Sequence, residues 1–321
     1  LGLALLAASA SPAEKPKGAG LFRVQKDGKW GYIDRTGRMV IEPRFDQAID
    51  FLAESGIASV AVGGLWGAID RLGQFVLRPS LPEMPIFSGD GTYAWVMIDG
   101  RWACIDRKGA RPAKLQLEGP CNFIEGLTAA KVGEKHGFMD LKGALVVPAA
   151  YEEVGYFSEG LAAVKQAGRW GFIDKAGKMA IKPQFDEAWG FVEGLAPVRA
   201  GDAWGAVDKK GRMVLPAKYA AAVMFTDGRG QLEIDGMQGF IDPTGKVVIE
   251  PRYPEARVFT EGLAAVKIGE KWGYIDTSGK VVIEPQFDLA VPFFDGLGAV
   301  TVGEKTGYVD RTGTIVWQPT N

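Results

Sequence analysis

The chain runs to 321 residues and 34.5 kDa, with 47% apolar and 24% charged residues, proportions that exclude wholesale disorder. Lys+Arg 37 against Asp+Glu 39 leaves a net charge of −2, which argues against a nucleic-acid protein or a polybasic membrane-surface protein. One His and two Cys are too few for a zinc cluster or a disulfide scaffold, while 44 Gly and 18 Pro point to tight turns between short strands.

In chain order, Leu1 to Ala8 reads LGLALLAA and runs into Ala8-Ser9-Ala10. A short apolar run ending in small residues at A-x-A spacing reads as the C-terminal part of a signal peptide, over 1–13. It is too short to cross roughly 30 Å of hydrocarbon as a helix, so no membrane span is expected. Residues 14–19 (EKPKGA) form a polar linker, and the protein is expected to be exported, to the periplasm or the medium.

From Gly20 to Pro319 one unit is written nine times. Trp-Gly stands at Trp30, Trp66, Trp170, Trp204 and Trp272; altered versions begin at Trp102, His136, Gln238 and Thr306. Four residues after each of these positions comes an Asp: Asp34, Asp70, Asp106, Asp140, Asp174, Asp208, Asp242, Asp276 and Asp310. A Gly follows three residues after every one of them, and the spacing settles to 34 residues.

The eighth unit, Gly262 to Pro285, shows what each copy encodes. Leu263 to Lys267, Trp272 to Asp276 and Lys280 to Glu284 read as three strands, being rich in β-branched and aromatic residues. Asp276-Thr277-Ser278-Gly279 fits a turn in which the Asp caps backbone N–H groups and Gly takes the left-handed position. Pro285 is expected to stop the sheet, having no N–H to give a ladder. A three-stranded meander of this size cannot bury a core alone, so neighbouring units must stack. The connectors, PQFDEAWGFVEG at 183–194 and PQFDLAVPFFDG at 285–296, carry the aromatics Phe185, Phe191, Phe287 and Phe293 as pegs between units. Leu81 to Asp90 and Lys114 to Pro120 keep little of the connector pattern, so the seams there should be weakest.

The fold class is therefore an all-β repeat protein. No strand at either end is left to be completed from the other, and nine units exceed the usual four to eight propeller blades, which favours an open β-solenoid or superhelix over a closed propeller-like ring. Stacked at about 4.8 Å per strand, such an array would be a rod of order 130 Å long.

The unit W-G-Y-I-D-x-x-G-K-V-V-I-x-P-x-F-D resembles the WG (also called KWG) repeat family of bacterial proteins. That resemblance implies a β-rich repeat, commonly on exported or multidomain bacterial proteins, and no agreed activity.

Candidate sites follow from the repeat. The nine Asp lack a second acidic ligand at short spacing, so they read as turn caps and no metal or cofactor is expected. Trp30, Trp66, Trp102, Trp170, Trp204 and Trp272 read as packing, with a partner- or glycan-binding ladder as the alternative. His136 occupies a Trp slot with no catalytic companion. Cys104 and Cys121 could pair in an oxidising compartment or be two separately buried thiols. There is no P-loop, G-x-S-x-G elbow or Rossmann fingerprint, so an enzyme is not expected. The function read from the sequence is an exported scaffold that binds a protein partner through many similar patches, with charged connector residues such as Glu193 and Glu261 taking part. The alternative is a cell-wall or polysaccharide-binding module.

Overall fold

A computed structural model describes residues 20–98, 100–111 and 122–320. The segment read as a signal peptide and the linker after it lie outside the described residues. Among the described residues nine antiparallel sheets follow one another, one per unit. In the eighth, Leu263–Ile268 pairs with Lys271–Asp276, which pairs with Val281–Phe287.

Two local details depart from the expected meander. In five sheets the connector contributes a fourth strand, Glu187–Ala188 or Leu289–Ala290 for example, bonded to the first long strand of the next unit. The backbone groups on that strand's outer edge need partners, and the connector's main chain supplies them. The proline, in turn, does not end the sheet. Pro285 lies inside Val281–Phe287, at a bulge where Trp272 faces Phe287 and Tyr274 faces Ile283, so three residues oppose Gly273 alone. A bulge leaves residues unpaired, and there the missing N–H costs nothing.

The same bulge explains the Gly of the Trp-Gly pair. A Cβ on Gly273 would stand 2.5 Å from the Ile283 carbonyl oxygen, and one on Gly171 2.5 Å from that of Ile181. Only a residue without a side chain lets the third strand fold this closely over the second.

Each sheet packs face to face on the next. Between blades 8 and 9, Leu263, Trp272, Tyr274, Ile283 and Phe287 meet Phe293 of the connector and Val300 and Val309 of the following blade. Between blades 5 and 6, Phe191 is fully buried against Phe172, with ring centroids 4.9 Å apart. Turn glycines enter the same seams: a Cβ on Gly313 would lie 3.2 Å from Ile283 of the blade before it.

The array closes. Leu297 and Tyr308 of the last blade bury against Phe22, Val24 and Ile33 of the first, with Val316 and Trp317 packed alongside. These are the repeat positions that join blades 8 and 9, so the seam between the ends has the same construction. The Tyr308 hydroxyl donates to the Arg23 carbonyl at 3.0 Å, and Arg35 pairs with Asp295 across the same seam. The protein is a nine-bladed β-propeller, which overturns the expected open solenoid. The expectation assumed that a ring needs a strand shared between its ends, whereas here side-chain packing, the Tyr308–Arg23 hydrogen bond and the Arg35–Asp295 ion pair join them. Among the described residues blade 1 has no short fourth strand; the Arg23 carbonyl accepts the tyrosine hydroxyl instead.

Eight seams carry such a buried cluster among the described residues. The remaining one, between blades 3 and 4, adjoins 112–121, outside the described residues. There Tyr93 stacks at 5.5 Å on Phe123 and donates to the Leu141 carbonyl at 3.2 Å.

Candidate functional site: the two rims of the ring

The first long strand of each blade crosses from one face of the ring to the other, so each rim is built from one kind of turn. On one rim the acidic residues before that strand, Glu125, Glu159, Glu193, Asp227, Glu261 and Asp295, hold left-handed φ angles between 50° and 55°. Their carboxylates reach forward to the next blade. Glu159 accepts the Gly194 N–H at 3.0 Å, Glu193 those of Asp227 and Gly228 at 2.6 and 2.8 Å, and Glu261 that of Gly296 at 2.9 Å. A basic residue just after the turn Asp of the next blade often joins them: Lys175 meets Glu125 at 3.0 Å and Lys209 meets Glu159 at 3.1 Å. Glu193 and Glu261, expected to take part in partner binding, also hydrogen-bond the next blade, Glu193 while remaining exposed on the rim. Their spacing from the next unit's glycine could have signalled this, since a 35-residue step links the same turn in successive blades.

The nine turn Asp residues lie on this rim too. In every unit the carboxylate accepts the N–H groups two and four residues on, as Asp276 does from Ser278 and Lys280 at 2.9 and 3.1 Å. In blade 1 the Thr36 hydroxyl and the Arg38 side chain add to these amides, and the Asp34 carboxyl is pushed down to about 2. Thr244 and Ser278 hydroxyls lower Asp242 and Asp276 in the same way. Hydrogen bonds to the ionised form favour it. Among the described residues no group of His, Cys, Asp and Glu gathers to hold a metal ion.

On the opposite rim the hairpin tips carry a β-branched residue at one repeat position, Val62, Val132, Ile234, Ile268 and Val302, each between 38% and 57% exposed. Lys and Glu flank them, as in Ile268-Gly269-Glu270-Lys271.

The tryptophans begin the second strands near this rim, and most are covered. Trp204 and Trp272 are buried, and Trp30, Trp66 and Trp170 half-buried. Arg23 lies over Trp30 at 5.4 Å, Lys165 over Trp170 at 5.9 Å and Arg257 over Trp272 at 5.1 Å, while Trp189 meets Trp204 edge-on. Trp102 alone of the six is open, 44% exposed and stacked on Trp95 at 3.9 Å. His136, in a Trp slot, bonds the Glu152 carbonyl through Nδ1. Cys104 is disulfide-bonded, and Cys121 lies outside the described residues.

One feature of the first connector escaped the sequence reading. Arg23 Nε bonds Asp50 at 3.2 Å and Nη1 donates to the Ala48 carbonyl at 3.1 Å. Asp50 keeps 60% of its side chain open, yet protein crowds it, and that loss of solvent pushes its carboxyl up while Arg23 pulls it down. No other unit has a charge at either position, with Ala163, Ala265 and Ala299 standing where Arg23 does. Setting the nine units in columns would have exposed it.

Among the described residues no helix is long and apolar enough to cross a membrane. A family profile described as "WG containing repeat" matches residues 30–66, 66–102, 137–170, 170–202, 204–237, 239–272 and 272–305. Among solved structures, one titled as the crystal structure of the eukaryotic initiation factor is similar over 93% of this chain and 94% of its own, at 13% identity and a TM-score of 0.64, a likeness of fold. Apo AztD from Citrobacter koseri (15% identity, 83% and 91% covered) and Hsv2 of Kluyveromyces lactis (10%, 58% and 70%) align with TM-scores of 0.39. No curated protein matches the sequence.

Proposed function

The chain belongs to the WG-repeat family, and on that footing we propose that it is an exported, non-enzymatic scaffold that holds a protein partner on one rim of its ring. The observation that carries this reading is the set of exposed Val and Ile side chains repeated on the hairpin tips. A single exposed aliphatic side chain is ordinary on a protein surface; what supports an interaction surface is the recurrence of one at the same repeat position on one rim. Five similar contacts on one partner add through effective concentration, so none need be strong. The small-residue cleavage pattern at Ala8-Ser9-Ala10 supports export.

A photo-crosslinking residue placed at Val132 or Ile268 tests the reading in cells. One discrete crosslinked species, lost when Val132, Ile268 and Val302 are all changed to Ser in a protein that melts normally, is the expected result. Crosslinks no richer than those from Lys142, on the other rim, would overturn it. The polysaccharide alternative draws support from one place, the open indole of Trp102 on Trp95. Co-sedimentation with isolated peptidoglycan that Trp102→Ala abolishes would favour it over the protein partner.

A further inference from the structure

Five blades close the outer edge of their first long strand with the connector's main chain, and blade 7 does not. In blades 2, 5, 6 and 9 one carbonyl on that edge accepts a connector N–H at 2.9 Å: Ala61 from Asp46, Lys165 from Glu152, Arg199 from Asp186 and Thr301 from Asp288. In blade 8 the Lys267 N–H donates to the Glu255 carbonyl at 2.9 Å instead. Glu233 holds this position in blade 7, within the strand Arg229–Ile234, and among the described residues no connector group bonds its main chain. The cause is local. Val223 is buried against Gly230, where a Cβ would stand 2.5 Å from the valine Cγ1, whereas Trp189 and Val291 at the same connector position are 46% and 37% exposed. The connector is thus drawn off the strand and pairs with it only at Phe225–Thr226. Leu232 is left half-buried, where Val198, Val266 and Val300 are buried, and Glu233 is exposed. A cleft of about 330 Å³ opens there, lined by Tyr219, Ala220, Leu232, Glu233, Ile241 and Val247 among others.

We propose that this edge takes an extended segment of the protein partner as an added strand, with a Lys or Arg opposite Glu233 and an apolar residue after it. The inference rests on the scaffold reading and adds the partner's chemistry to it; the exposed tip residue Ile234 continues the edge onto the surface proposed above. An open strand edge binds a backbone through its hydrogen bonds, and side-chain pairs select the sequence. Those pairs stand in the sister blades, where Glu153, Glu187 and Glu255 of the connectors meet Lys165, Arg199 and Lys267 at 2.6, 2.7 and 2.9 Å. In blade 7 both sides are changed: Ala221 stands in the place of the acid and Glu233 in that of the cation. One Glu233 oxygen accepts the Gln238 side-chain amide at 2.6 Å, and Asp235 follows at the tip, exposed. Lys218 also lines the cleft, its ammonium 5.4 Å over the Tyr219 ring, and the two acids outweigh it. The guest's next residue, where connectors place Ala188 or Ala290, faces Leu232 and enters the cleft.

The test uses the full chain and a blocked heptapeptide, TTKVTVT, followed at the backbone amide resonances of residues 231–234. Saturable shifts confined to this edge and its cleft are expected, with the peptide TTEVTVT binding about fivefold more weakly, the range of a cross-strand charge pair. The peptide TPKVTVT, whose proline removes the N–H that meets the Glu233 carbonyl, should also bind more weakly. Glu233→Lys installs the residue that blades 5 and 8 carry at this position, so the fold should persist, and the preference between the Lys and Glu peptides should invert. Amides that never move, a preference that Glu233→Lys leaves unchanged, or TPKVTVT binding as well as TTKVTVT overturns the site. So does a shift of the same amides with protein concentration alone, which would put a second copy of the chain on the edge. The two readings fail separately. If no peptide binds while the tip crosslinks persist, the edge site falls and the scaffold stands; if the peptides bind as expected and no tip crosslink forms, the tip reading falls alone.

Discussion

Closure of the ring can be tested at the Phe22–Tyr308 contact. Phe22 is 5% exposed and Tyr308 8%, their rings are 5.4 Å apart, and the tyrosine hydroxyl bonds a carbonyl 285 positions away in the chain. In a closed ring Phe22→Ala empties a buried site and should cost about 3 kcal/mol. Tyr308→Ala should cost about as much and also frees the Arg23 carbonyl. Because the rings touch, the double variant should lose less than the sum, by about 1 kcal/mol. In an open array both residues would sit on solvent-facing end blades, each change would cost under about 1 kcal/mol, and the coupling would vanish. Urea denaturation of the four proteins measures the cycle, and scattering on the parent gives an independent size. A radius of gyration near 20 Å fits the ring, since a compact chain of this length gives about 19–20 Å. Zero coupling together with a rod-like radius of roughly 35–40 Å would refute the reasoning.

Two further outcomes follow from local geometry. Gly273→Ala, whose Cβ would meet the Ile283 oxygen at 2.5 Å, should cost about 3 kcal/mol, whereas Gly269→Ala, at a hairpin tip with open space around it, should cost about 1 kcal/mol of backbone strain; equal melting shifts would contradict the bulge argument. The turn carboxylates predict the pH profile. Asp34, Asp242 and Asp276 are held below the ordinary range, so their stabilisation is complete above about pH 4 and is lost as pH falls toward their folded values, about 2 for Asp34. The melting temperature should stay level from pH 7 to about 5 and drop below about 4, and Asp34→Asn should flatten that drop by the order of 1–2 kcal/mol; an unchanged drop would contradict it.

Much of the blade was legible in the sequence because its determinants are local. Asp276 and Gly279 fix a turn within four residues, and the short apolar run of Leu263 to Ile268, bounded by glycines, reads as a strand whatever lies beyond it. The connector pegs were legible too, since aromatics at a fixed offset in every unit have to pack on something. What stayed hidden depends on distance or on backbone detail. The join between the ends lies in contacts of Phe22 and Arg23 with Tyr308, which look like ordinary repeat residues in their own units. Pro285 looked like a stop because a bulge is a property of register, and register appears only when two strands are laid together. Glu193 and Glu261 looked like solvated acids, and only the approach of the next turn reveals their amide partners.

The turn glycines also bear on how many blades the ring holds. Gly37 lies so close to the last blade that a Cβ would stand 2.4 Å from the Val316 oxygen, and Gly177, Gly211 and Gly313 press on aliphatic side chains of the blades before them. How near two neighbours come here helps to set the packing distance at each seam, and nine such seams make one full turn. A bulkier residue at that point would hold the two blades apart, so the missing side chain acts as a spacer of fixed thickness. Duplication of a 34-residue unit is therefore not a neutral change for this architecture: a tenth copy with the same spacer would overshoot the circle, and the array could close again only if the thickness at every seam changed with it.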